Sequence, residues 1–220
     1  MPIRRTPLVT GQVYHVFNRG VSKIPIFTVL REYKRAIGTI QYYMLKNTPI
    51  RYSKYLKLVD ERKIDIYKNI DTREKTVELI SYVLMPNHFH FLLKQVSEEG
   101  IKSFVRNFQI SYTRYFNTQH KRKGPLWESR FKSVLVENDE QLQHLIRYLH
   151  LNPATARLVN HPEDWKFSSY KEYLSEINDN SIICQFDNIL DINPPTYRKF
   201  VNDQISYQRE LAKIKKLILD

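Results

Sequence analysis

Two histidines one residue apart, His88-Phe89-His90, stand in a run of β-forming residues. On a strand, alternation sends both imidazoles to one face and Phe89, Phe91 and Leu93 to the other. Two imidazoles on one face are half of a metal site. They are equally the arrangement of two histidines that merely satisfy polar neighbours in an apolar strand, and the pair alone leaves both readings open. Cys184 is the single cysteine, so no internal disulfide and no CxxC zinc spacing is available. Any metal must be held by imidazole, carboxylate, amide or the phosphate of a ligand.

The charge balance suggests where such a phosphate would come from. Lys and Arg total 35 against 23 for Asp and Glu, a net charge of +12 and a pI near 9.6. That excess draws polyanions by counterion release, which makes nucleic acid the leading partner and a merely soluble basic protein the bland alternative. Fifteen tyrosines and eleven phenylalanines add ring faces on which unpaired bases stack, although most must belong to the core. Asn18, Arg19, Arg114, Lys121, Arg122, Lys123, Trp127 and Arg130 combine phosphate charge with a stacking face and are the candidate DNA contacts. Hydrophobic residues form 42% of the 220-residue chain and charged residues 26%, the profile of a globular protein. No apolar run approaches the roughly 20 residues that span a bilayer, and the N-terminus lacks the apolar core of a signal peptide; an intracellular, non-membrane protein is expected.

The elements that must position these groups follow from periodicity and turn chemistry. Val13 to Asn18 reads as a first strand closing at Arg19-Gly20, and Phe27 to Leu45 as a long helix. The polar stretch 46–75 is an insertion with no clear assignment. Val77–Met85 and His88–Lys94, broken by Pro86-Asn87, predict an antiparallel hairpin at the centre of a sheet. A helix over Ile101–Asn117, a strand over Phe131–Val136 and a helix to about His150, capped by Asn138 or Asp139, come next. Trp165–Leu174 reads as one short helix and Tyr197–Leu219 as a last charged one. The order predicts an α+β domain with helices on one face of an antiparallel sheet. The expected division is a catalytic domain over 1–176 and a C-terminal helical appendage over 177–220.

Five ordered blocks carry a resemblance. They are Tyr14-His15-Val16-Phe17-Asn18-Arg19-Gly20, Met85-Pro86-Asn87-His88-Phe89-His90-Phe91-Leu92-Leu93, Gly124-Pro125-Leu126-Trp127-Glu128-Ser129-Arg130-Phe131-Lys132-Ser133, Tyr148-Leu149-His150-Leu151-Asn152-Pro153 and Trp165-Lys166-Phe167-Ser168-Ser169-Tyr170. Over about 10–175 the chain resembles the REP-associated tyrosine transposases, relatives of the single-tyrosine insertion-sequence transposases. The resemblance implies a ferredoxin-like sheet domain in which His88 and His90 are the HUH pair, binding a divalent ion against the scissile phosphate. A hard ion, Mg²⁺ or Mn²⁺, suits a site that bridges phosphate oxygens. It also implies Tyr148 as the nucleophile on the helix after the last strand, and Asn152, one turn on, as a third metal ligand. Positions i and i+4 share a helix face, yet Pro153 predicts that the helix ends at Asn152. His150 is a candidate for helping the phenol lose its proton.

The implied activity is metal-dependent cutting and rejoining of single-stranded, hairpin-containing DNA through a covalent 5′-phosphotyrosine, without a nucleotide cofactor. The implied protein is a monomer in preference to a dimer, in the prokaryotic cytoplasm and associated with the nucleoid. Two rivals remain at this stage. One is a DNA-binding protein of the same fold without turnover, and the other is a metal-dependent hydrolase using activated water.

Overall fold

The computed structural model describes residues 7–69, 74–177, 182–186 and 193–210. Segments rich in β-branched and aromatic residues form β1 (Val13–Arg19), β2 (Val77–Met85) and β3 (His88–Gln95), and the short β4 (Lys132–Leu135) completes the sheet. The strand order is β2-β3-β1-β4, with every neighbouring pair antiparallel. The helices are α1 (Leu30–Met44), α2 (Tyr52–Tyr55), α3 (Asp60–Asn69), α4 (Gly100–Gln119), α5 (Asp139–Thr155), α6 (Tyr170–Tyr173) and α7 (Pro194–Asn202). The unassigned stretch 46–75 therefore carries α2 and α3. This is the expected α+β architecture, an antiparallel sheet with helices packed on it.

Alternation along β1 and β3 divides the molecule. Tyr14, Val16, Phe89, Phe91 and Leu93 point to one face, where they bury against Phe104, Phe108 and Tyr112 of α4 and against α1. Each fully buried ring contributes on the order of 2–3 kcal/mol of apolar transfer. A register shift between Leu79 and Ser81 in β2 changes the phase of that strand. Ile80, Val83 and Met85 consequently join Leu92 on the other face, in a second core with Leu142, Ile146 and Leu149 of α5. The helices thus extend beyond α1 and α4: α5 covers the β2 side of the opposite face. The described residues after 177 pack on the same domain, with Cys184 in the first core and α7 in the second. The Gln185 amide donates to the Leu79 carbonyl at 2.8 Å, and Tyr197 and Val201 of α7 are buried against α5.

Three boundaries differ from expectation. α5 does not end at Asn152; it runs through Pro153 to Thr155. Proline removes one amide donor in the last turn, a loss that burial of Leu149, Leu151 and Ala154 outweighs. Trp165–Leu174 is not one helix. A 3₁₀ turn at Pro162–Asp164 leads into an extended segment whose Phe167 carbonyl accepts from Leu84 N at 2.9 Å and whose Ser169 N donates to Tyr82 O at 3.0 Å. That segment pairs with the outer edge of β2, and only Tyr170–Tyr173 is helical. The last charged helix begins at Pro194 and is interrupted at 203–204 before helix resumes over 205–210, while the remainder of the expected span lies outside the described residues. No helix among the described residues is long and apolar enough to cross a membrane.

Candidate active site

β1 and β3 pair so that Phe17 faces His90 and Arg19 faces His88 across the ladder. The α1–α4 helices fill one face of that ladder, and the other carries His15, Phe17, Arg19, His88 and His90. Gly20 closes β1 against Ile24 and Ile26, at a point where a side chain would collide with the Ile24 carbonyl. Its amide donates to Asn87 O at 2.8 Å, which holds the end of β1 against the β2–β3 turn.

The two imidazoles are oriented alike by different partners. His88 Nδ1 lies 2.6 Å from Asn87 Oδ1, and His90 Nδ1 lies 2.9 Å from His15 Nε2. In each ring the Nδ1 edge is occupied, leaving Nε2 as the free edge. Burial lowers His88 and His15 to about 4, with Arg19 adding to the effect on His88. Burial, together with His88 and His15, holds His90 well below the usual histidine range. All three rings are neutral at pH 7, the state in which an imidazole nitrogen can ligate a metal.

Tyr148 projects from α5 toward this face. Its ring centroid lies 6.0 Å from that of His90 and 6.5 Å from that of His15, both edge-on, and the side chain is 37% exposed. Burial of the phenol raises its pKa above the usual 10, and the Asn152 amide one turn on pulls it back down. Because α5 continues past Pro153, Tyr148 and Asn152 do share a helix face. The amide nitrogen of Asn152 is buried with no protein acceptor. Beside the histidines opens a cleft of about 330 Å³, whose lining includes Arg19, Lys23, Glu128 and Lys132. Arg19 and Glu128 form a two-pronged ion pair at its rim, with Nη2–Oε1 at 2.9 Å.

An IS200-like transposase family model matches residues 39–152, more than half of the chain and inclusive of both histidines, Tyr148 and Asn152. The chain belongs to the IS200-like transposases.

A Haemophilus influenzae protein named a REP-associated tyrosine transposase is 27% identical over 104 residues, 42% of this chain and 58% of that one. The chain thus spans under two thirds of that relative's length. The solved structure of a REP-associated tyrosine transposase bound to a REP hairpin superposes with a TM-score of 0.55 over 87% of this chain and 95% of that one. At 15% identity this shows a common fold.

Other expected site residues of the transposase fall elsewhere. His150 is not at the surface and does not face Tyr148. It is fully buried, with Nδ1 2.5 Å from Tyr197 Oη and Nε2 2.8 Å from Ser169 Oγ and 3.1 Å from Ser81 Oγ. Facing the second core, it ties α5 to β2, to the 167–169 segment and to α7. Asn18 is the exception: it lines the cleft, 5% exposed, with its amide donating to Ser129 O and accepting from Arg19 N. Trp127, partly buried, packs its ring against Phe89 and Phe108 and donates Nε1–H to Gln109 O. Arg122 folds back on Asn117 and Pro125 O. Lys121, Lys123 and Arg130 are exposed on the loop that leads to the cleft, and Arg114 is exposed on the outer side of α4. Tyr112 and Tyr115 lie on the helical side of the sheet, where Tyr112 is buried and donates to Ile26 O. His15, Lys23, Asn87 and Lys132 are site residues that the residue-by-residue reading missed.

Burial drives His150 down to about 3, whereas in the unfolded chain it titrates near about 6.5. Its contribution to stability is complete above pH ~6.5 and is lost as pH falls toward 3, because only the unfolded chain takes the proton in that window. His150→Asn should therefore lower stability at pH 7 yet flatten its decline between pH 6 and 4 by up to about 1.4 kcal/mol per pH unit. Urea melts across that range that fall with the wild-type slope would refute this.

Proposed function

We propose that this transposase cuts and rejoins single-stranded DNA bearing a hairpin, with Tyr148 as nucleophile. The observation that carries the proposal is the sharing of one sheet face by the Tyr148 phenol and two neutral, similarly oriented imidazoles, His88 and His90, beside a cation-lined cleft. Those residues fit a divalent ion. Both Nδ1 atoms are held by outer partners and both Nε2 atoms are free, the arrangement that orients histidine ligands. Asn152 lies one turn beyond Tyr148 on α5, and its amide oxygen is the atom that could serve as a third ligand. His88 and His90, with Asn152, would hold Mg²⁺ or Mn²⁺, which supplies Lewis-acid polarisation of the scissile phosphate.

The remaining steps belong to the chain. Arg19, Lys23 and Lys132 attract the phosphates at the rim of the cleft. The partly exposed Tyr148 hydroxyl attacks phosphorus, forming a Tyr–O–P bond and breaking the bond to the upstream 3′ oxygen, on which the phenol proton finally resides. The ester is conserved as 5′-phosphotyrosine, so attack by a 3′-hydroxyl reverses the reaction without ATP. His150 has no part in this transfer; its place is structural.

The hairpin preference draws on the hairpin-bound structural neighbour and on the basic surface. A strand labelled at its 3′ end should become attached to the protein, in a form resistant to boiling in detergent, when it carries a hairpin with an unpaired flank and Mn²⁺ is present. A perfectly paired duplex of the same sequence should yield at least about tenfold less, and binding should weaken steeply between 50 and 200 mM salt, on the order of three decades for six phosphate contacts. Equal labelling by the duplex would overturn the substrate assignment.

A further inference from the structure

On the far side of the sheet from the histidines, the outer surface of α4 meets α1 and the inserted segment around α2 in a groove of about 650 Å³. Arg35, Arg51, Lys57 and Arg114 line it, and among the described residues no carboxylate does. Arg35 is the centre of the groove. Its guanidinium lies 4.6 Å from the Tyr52 ring and 5.1 Å from that of Tyr115. The Nε of Arg35 and the hydroxyl of Tyr115 are both buried without a hydrogen-bond partner among protein atoms. Two buried, unsatisfied polar groups side by side are costly unless something else completes them.

The wall is built for this. Gly38, in the interior of α1, leaves the space that the Tyr52 hydroxyl occupies, and a Cβ there would fall on that oxygen. Glycine weakens a helix interior, and here it admits the Tyr52 ring beside Arg35. Cations with unpaired N–H and O–H donors select an anion. Because guanidinium contacts occupy the rings, no open platform is offered to unpaired bases, so the groove suits sugar–phosphate backbone and not stacked single strand. At its Thr118–Gln119 end begins the loop carrying Lys121, Lys123 and Arg130, which continues to Glu128 at the rim of the histidine cleft. That loop thus joins the end of the groove to the rim of the histidine cleft.

We propose that this groove holds the phosphate backbone of a paired DNA stem, while the unpaired flank passes along the 121–130 loop to the histidine face. The assignment rests on the proposed action on hairpin DNA and adds a second, non-catalytic site to it. It is tested by anisotropy of a labelled hairpin with an unpaired flank, titrated at several salt concentrations. The exposed pair Arg51→Glu/Lys57→Glu is compared with Arg157→Glu/Lys166→Glu, an exposed pair outside the groove with the same change in net charge. The groove variant should bind the hairpin at least about tenfold more weakly than the control variant, with a salt slope about two units shallower than wild type. Its melting temperature and Mn²⁺ affinity should match those of the control. Equal losses in the two variants would overturn the groove as a site. Absence of hairpin binding by the wild type would instead overturn the hairpin reading, and the groove's role with it.

Discussion

Tyr148→Phe is expected to bind hairpin DNA with nearly wild-type affinity and to form no covalent adduct, with strand cleavage falling at least about a thousandfold. The substitution deletes one oxygen and keeps the ring that sits edge-on to His90 and His15, so packing and DNA binding should survive. Tyr112→Phe and Tyr115→Phe should still form the adduct, since both rings lie on the helical side of the sheet, away from the histidines. An adduct that persisted in Tyr148→Phe and vanished in either of the others would assign the wrong nucleophile. Cleavage by the wild type without any adduct would favour water as the attacking group and a hydrolase in place of a strand transferase.

The second large effect concerns the imidazoles. His90→Ala and His88→Ala should each abolish Mn²⁺-supported cleavage, by about a thousandfold or more, and reduce Mn²⁺ binding below detection in an electron-paramagnetic-resonance titration. His15→Ala makes the more discriminating comparison, because it leaves the two ligands and removes the group 2.9 Å from His90 Nδ1. An orienting partner of that kind is worth about 10–100-fold in metal affinity. His15→Ala should therefore show intermediate binding, recovered in part at high Mn²⁺. Undiminished cleavage by His90→Ala would remove the metal assignment altogether.

Much of this was legible in the residues because it depended on local pattern. Alternation put His88 and His90 on one face, and the structure keeps them there. Asn138 caps α5 through Gln141 N, as its residue type predicts. What escaped depended on pairing across distance. His15 becomes a neighbour of His90 only once β1 is registered antiparallel to β3, and one strand alone does not state its register. His150 looked like a partner for Tyr148 because both lie in one short motif. Two residues apart on a helix, however, they diverge, and His150 is drawn into the second core by Tyr197, a residue 47 positions away. Pro153 signalled a helix end by its own chemistry, which the burial of its neighbours overrode. Asn18 and Trp127 were chosen for what their side chains can do to DNA, and residue type alone does not show the contacts that both also make within the protein.

The mooring of α5 sets a stoichiometry. The helix is fixed at its start by Asn138, along its length by His150, and at its last carbonyls by Arg209, which donates to Ala154 O at 3.0 Å. The Tyr148 ring centroid lies 6.0 Å from that of His90 of the same chain, so the proposed centre is complete in cis. On the proposed mechanism, one polypeptide carries one phenol and holds one severed strand at a time. Excising a segment requires two cuts, so it must recruit a second molecule to the same DNA or proceed as two consecutive turnovers. The kinetic order of excision in protein concentration would distinguish these.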